Sequence, residues 1–246
     1  MTPKEILPYA KIARDTYLNP DKATGAFKEY GYSILNFFDK KGAQAYLLTN
    51  GKERVLSFRG TEVKQKSDIL ADLTSGKNKE ENGSHVHVGF RKEVNKLWDD
   101  ILLNLNKDGN NLPLVITGHS LGAAMATIMA SRLSFRGLIN VNALVTFGSP
   151  RVGTKAFVSA LKVPHTRVIN CCDAVTRVPL YIMKFRHHGT ILYLDYHGNA
   201  RHSAGWRLLW DQILARKRAL EKRQYFSSVY DHFMDNYVHK LKLASM

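Results

Sequence analysis

The sequence predicts an α/β fold whose sheet is of mixed direction, and three features carry that expectation. Two apolar runs, Ala43 to Thr49 and Arg54 to Phe58, flank Asn50-Gly51, a strong hairpin signal that makes the early strands antiparallel. Further on, apolar β-branched strands alternate with helical patterns, the rhythm of a sheet with crossover helices. Between one such strand (Leu112, Leu114, Val115, Ile116, Thr117) and a run of helix formers (Ala123 to Ala130) stands Gly118-His119-Ser120-Leu121-Gly122.

Taken in order, Thr2-Pro3 reads as a helix start, followed by Ile6, Leu7, Ala10, Ala13 and Tyr17 at helical spacing. Gly31 to Phe38 is the first strand, ahead of the hairpin. Glu62 to Ser84 is polar and rich in Lys, Glu, Asn and Gly. Phe90, Val94, Leu97, Ile101 and Leu105 form a helix stripe ending near Asp108-Gly109. Val141 to Phe147, Arg167 to Asn170 and Thr190 to Tyr196 are further strands, and Tyr225 to Leu243 reads as helical. No repeat or linker divides the chain, so residues 1–246 are expected to form a single domain.

At 246 residues and 44% hydrophobic, the chain can bury a substantial core. No apolar run is long enough to cross a bilayer, and Met1-Thr2-Pro3-Lys4-Glu5 opens no signal-peptide pattern, so a cytoplasmic location is expected, with export by another route as the alternative. The adjacent Cys171 and Cys172 are expected to be small half-buried hydrophobes without a disulfide, as suits a reducing compartment. Thirty-six Lys and Arg against 21 Asp and Glu leave a formal charge of +15, a surface that attracts polyanions, whether nucleic acid or an anionic lipid face.

A G-x-S-x-G sequence between strand and helix is a nucleophile elbow, a tight turn that holds a serine hydroxyl above a sheet. Its glycines are required because side chains there would collide with the neighbouring elements. Serine becomes a nucleophile when a base takes its proton, a third group orients the base, and N–H donors receive the oxyanion. In elbow proteins the acid and then the histidine follow the serine along the chain. That order removes His85, His87 and His119 and leaves His165, His187, His188, His197, His202, His232 and His239 as candidate bases. Asp173, just past the strand Arg167 to Asn170, fits an orienting acid; its other reading, which composition alone favours, is a turn-capping aspartate.

The chain resembles the fungal-type (class 3) lipases of the α/β-hydrolase fold. The likeness rests on Ser57-Phe58-Arg59-Gly60-Thr61, on Asp68 with Ala71-Asp72-Leu73, on Val86-His87-Val88-Gly89-Phe90, and on the elbow. It continues through Thr146-Phe147-Gly148-Ser149-Pro150-Arg151-Val152-Gly153, through Asn170 to Pro179, and ends on Asp231-His232 with Tyr237. The resemblance implies a mixed, mostly parallel central sheet flanked by helices. It implies Ser120 as nucleophile, Asp173 as orienting acid, His232 as base, and Thr61 with Leu121 as oxyanion hole. It implies no metal or organic cofactor, and a lipid ester as substrate: acylglycerol, phospholipid in a phospholipase A-type reaction on anionic membranes, or a short-chain ester. Two departures from the family pattern are Ala123 after the elbow and Ile69 where the family often has Trp. Glu62 to Ser84 takes the lid position and is polar apart from Val63, Ile69, Leu70 and Leu73, which implies little interfacial activation.

Trp206, Leu209, Trp210, Ile213, Leu214 and Leu220 form an apolar stripe interleaved with Arg207, Arg216, Lys217, Arg218, Lys222 and Arg223. It reads as an amphipathic helix packed on the sheet with a solvated basic face; its other reading is a peripheral helix on an anionic membrane. A function of a different class is a non-catalytic basic protein that binds lipid or nucleic acid on the same scaffold. No nucleic-acid-binding motif accompanies the charge, and reaction with a fluorophosphonate separates the two classes.

Overall fold

A computed structural model describes residues 1–60, 76–107, 112–203, 205, 210, 211, 213, 214, 217 and 230–246. Helices α1 (Pro3–Asp15) and α2 (Pro20–Glu29) precede the strands β1 (Ser33–Lys40), β2 (Ala43–Thr49) and β3 (Arg54–Phe58). Thr2 caps α1 through a reciprocal box with Glu5, the arrangement that Thr2-Pro3 foreshadows. The β2–β3 turn is tied by Asn50, whose Oδ1 accepts from the N–H groups of Lys52 and Glu53, while Gly51 supplies a φ of 78°.

The chain continues through β4 (Lys77–Lys79), β5 (His85–His87), α3 (Val88–Lys107), β6 (Leu114–His119), α4 (Leu121–Phe135) and β7 (Val141–Phe147). It closes with β8 (Gly153–Thr154), α5 (Lys155–Ala160), β9 (His165–Asn170), β10 (Phe185–Arg186), β11 (Thr190–Leu194), β12 (Ala200–Arg201) and α6 (Met234–Ala244). Eight strands form one sheet in the order β1-β2-β3-β6-β7-β9-β11-β12. The β1–β2–β3 end and the β12 edge are antiparallel, and the pairings from β3 to β11 are parallel, as expected of a mixed sheet.

Residues of β6 alternate between the two faces. Leu114 and Ile116 join a core beneath α3 and α4, with Phe90, Leu97 and Met125. Val115 joins the opposite core with Ile6 and Ala10 of α1, Phe27 of α2, and Tyr237 and Leu241 of α6. Each Val, Leu, Ile, Phe or Met side chain so taken from water contributes roughly 1.5–3 kcal/mol. Helices α1 and α6 therefore clamp the face from which the C-terminal residues approach Ser120.

Some elements differ from expectation. The strands β4 and β5 join β8 and β10 in a second antiparallel sheet, β10-β8-β5-β4, although Lys77 to Ser84 lies in the stretch expected to be a polar cover. Glu80, inside that stretch, is buried against Arg132 at 2.8 Å and Arg91 at 2.9 Å. At the C-terminus a turn at Asp231 and His232 interrupts the helix expected over Tyr225 to Leu243: Tyr230 is helical, the last helix begins at Met234, and residues 225–229 lie outside the described residues. In the basic stripe, Trp210, Ile213 and Leu214 are helical but about half exposed, so they are not packed on the sheet as expected. Trp206, Leu209, Leu220 and the arginines of that stripe lie outside the described residues.

Candidate active site

Ser120 occupies the turn between β6 and α4 with φ 57° and ψ −125°, a left-handed conformation that side chains rarely adopt. The turn closes because nothing projects from its glycines. A Cβ on Gly118 would come within 2.5 Å of the Gly122 carbonyl carbon, and one on Gly122 within 2.2 Å of the Phe58 oxygen. The Ser120 N–H donates to the Phe147 carbonyl at 3.1 Å, fixing the serine at the C-terminal edge of the parallel strands.

His232 Nε2 lies 2.8 Å from Ser120 Oγ, and His232 Nδ1 lies 2.9 Å from Asp173 Oδ2. All three residues are buried. Asp173 stands on the loop after β9 and uses both oxygens. Oδ1 accepts the Val175 N–H at 2.9 Å, so the turn-capping reading holds for one oxygen, while Oδ2 faces His232. The Tyr237 hydroxyl donates to the same Oδ2 at 2.6 Å and accepts the Asn170 N–H at 3.2 Å. Burial alone raises the Asp173 carboxyl, but the His232 charge and the hydrogen bonds from His232 and Tyr237 outweigh it, holding it below its ordinary range. Tyr237 itself, buried beside that carboxylate, stays a neutral donor.

Two positioning groups escaped the sequence reading. His119, set aside as a base by chain order, meets the His232 carbonyl with its Nε2 at 2.7 Å. Because a carbonyl only accepts, Nε2 carries the proton and Nδ1 accepts from the Tyr17 hydroxyl at 2.9 Å. Burial and the neighbouring His232 push His119 down to about 3, so it is neutral and serves as a strut between Tyr17, just past α1, and His232. Gly148, φ 56°, is the second. A Cβ there would sit 2.7 Å from Asp173 Oδ2 and 2.9 Å from His232 Nδ1. Its place in the Thr146 to Gly153 block was visible in sequence; the contact was not.

Leu121 is the first residue of α4, where a backbone N–H has no intrahelical acceptor. It borders a cleft of about 670 Å³ lined also by Gly60, Phe90 and Met125. Thr61 and the cover residues Ile69, Leu70 and Leu73 lie outside the described residues. Of the other candidate bases, His165 and His188 pair with each other, His187 binds the Thr176 carbonyl, and His197, His202 and His239 are exposed. Cys171 and Cys172 are free and buried, with sulfurs 3.5 Å apart.

The chain is similar to known proteins. The family described as lipase (class 3) matches residues 55–183, just over half of the chain. A secreted mono- and diacylglycerol lipase A of Penicillium cyclopium is 32% identical over 173 residues, covering 68% of this chain and 55% of the relative. The chloroplastic phospholipase A(1) DAD1 of Arabidopsis thaliana is 31% identical over 164 residues, covering 57% of this chain and 36% of its own length. The chain spans about half the length of the curated relatives it matches. The native Rhizomucor miehei lipase propeptide complex superimposes with a TM-score of 0.71 at 24% identity, over 80% of this chain and 70% of that one, a shared α/β-hydrolase fold. Four of the matched relatives are named as secreted, which overturns the cytoplasmic expectation. That expectation rested on a missing leader pattern, and an export address leaves no mark on a fold.

Proposed function

The chain belongs to the class 3 lipase family, and from that premise we propose that it is a serine ester hydrolase acting on lipid esters through Ser120, His232 and Asp173. The observation that carries the reading is the unbroken buried chain from Ser120 Oγ through His232 to Asp173 Oδ2, at 2.8 and 2.9 Å. Ser120 Oγ attacks the ester carbonyl carbon while His232 Nε2 takes its proton. The oxyanion is received by the Leu121 N–H and, as the resemblance implies, by Thr61. The imidazolium, stabilised by Asp173, gives its proton to the leaving alcohol, and an acyl-enzyme remains. Water then attacks with His232 as base, releasing the fatty acid and restoring Ser120.

Acylglycerols are the first substrate class, following the names of the Penicillium and Fusarium relatives, and phospholipid the second, following the Arabidopsis one. A panel of mono-, di- and triacylglycerol and anionic phospholipid, offered as monomers and as aggregates, tests the assignment. Fatty-acid release by the wild type and its loss in Ser120→Ala are expected; equal release by the folded variant contradicts the nucleophile.

A peripheral membrane association is the second reading, favoured by exposed apolar residues on a chain of charge +15: Leu180, Tyr181 and Ile182, with Trp210, Ile213 and Leu214. Co-sedimentation with anionic vesicles is expected to weaken in Ile182→Glu and Trp210→Glu; unchanged binding contradicts it. We also read residues 1–246 as one domain.

A further inference from the structure

Away from Ser120, in the middle of β9, Arg167 is 5% exposed, and its Nε and Nη1 are buried without a hydrogen-bond partner. It lines a small, partly open cavity of about 10 Å³ together with Thr127, His165, Arg186, His187 and His188. The titratable side chains that line the cavity with it are all basic, and the other walls are apolar or hydroxyl-bearing, Val152 and Phe157 among them. Burial and the charge of Arg151 push Arg167 down to about 10, and Arg151 is itself lowered by burial and by Arg186 and Arg177. His165 binds Thr146 Oγ1 at 2.8 Å and His188 Nδ1 at 3.1 Å, and burial beside these cations keeps it neutral. Among the described residues, no carboxylate pairs with Arg151, Arg167, Arg177 or Arg186.

Arg132 shows how the same chain treats a buried guanidinium elsewhere. It is 6% exposed, and its Nε and Nη2 hold Glu80 at 2.8 and 2.9 Å. A guanidinium does not shed its proton in proteins, and leaving one buried and uncompensated costs several kcal/mol. A neutral partner can accept its N–H groups but not offset its charge.

We propose that this cavity binds a small monovalent anion of halide size, chloride being the physiological member, held by Arg167 Nε–H and Nη1–H. Space for about one water-sized particle excludes phosphate and carboxylate ligands. The site is separate from the Ser120 chemistry, and its test does not depend on hydrolysis.

Thermal unfolding of the whole chain is measured at constant ionic strength while gluconate is replaced by chloride or bromide. A saturable rise in Tm is expected, about 5 °C when the halide exceeds its Kd a hundredfold. Arg167→Met is expected to lose this increment. Equal Tm in chloride and gluconate, or an equal increment in the variant, overturns the proposal. Should the variant fail to fold, wild-type crystals grown in bromide decide the matter by anomalous scattering. A bromide peak at hydrogen-bond distance from Arg167 Nε or Nη1 is expected; a water at that position with no anomalous signal overturns it.

Discussion

Two clusters of histidines lie wholly or partly buried in this molecule, and among the described residues only one of them contains an acid. His232, with His119 beside it, meets Asp173 on one side and Ser120 on the other. His165, His187 and His188 gather around Arg167 and Arg151, and burial with those cations pushes all three down. Both clusters hold imidazoles at hydrogen-bonding distance, so histidine and burial alone do not make a base. The carboxylate does. In the proposed reaction it fixes the tautomer with Nε2 free to accept from serine, and it stabilises the imidazolium that forms.

The strongest way to break the contrast is to remove that charge without changing shape. Asp173→Asn is expected to lower kcat by about 10⁴-fold with the fold retained, measured with a soluble ester. Gly148→Ala keeps every reacting group but inserts a methyl against Asp173 Oδ2 and His232 Nδ1. Misplacement on that scale is expected to cost about 10²-fold in kcat, with far less effect on binding of a substrate analogue.

The smallest effect concerns stability. His119 is neutral in the fold down to about 3, whereas its unfolded value is 6.5. His165 and His187 are lowered in the same direction. Below the unfolded value the denatured chain binds protons that the native one refuses, so stability is present above 6.5 and falls with decreasing pH. Each such histidine is expected to contribute a slope of about 1.4 kcal/mol per pH unit within its window, read by urea titration from pH 7 to 5. His119→Gln is expected to reduce the slope.

The sequence made the strand–elbow–helix unit legible because periodicity, β-branching and two sterically required glycines all lie within a short span. The hairpin at Asn50-Gly51 and the cap at Thr2 were legible for the same reason: each is a local agreement of residue and backbone. The second sheet was not, since β8 and β10 are two residues long and carry no periodicity. Glu80 lay hidden in a polar run because its partner Arg132 is 52 residues away. His232 could be told from six other histidines only through the family resemblance. The struts Tyr17 and His119, separated by 102 residues, are a consequence of packing that no window of sequence contains.

The central claim, that the Asp173–His232 pair activates Ser120, is tested most directly by covalent capture with an alkyl fluorophosphonate. Incubation of the whole chain followed by peptide mapping is expected to place one phosphonyl group on Ser120, with labelling much slower in Asp173→Asn. A folded wild type that is not labelled, or is labelled equally fast in the variant, would contradict it.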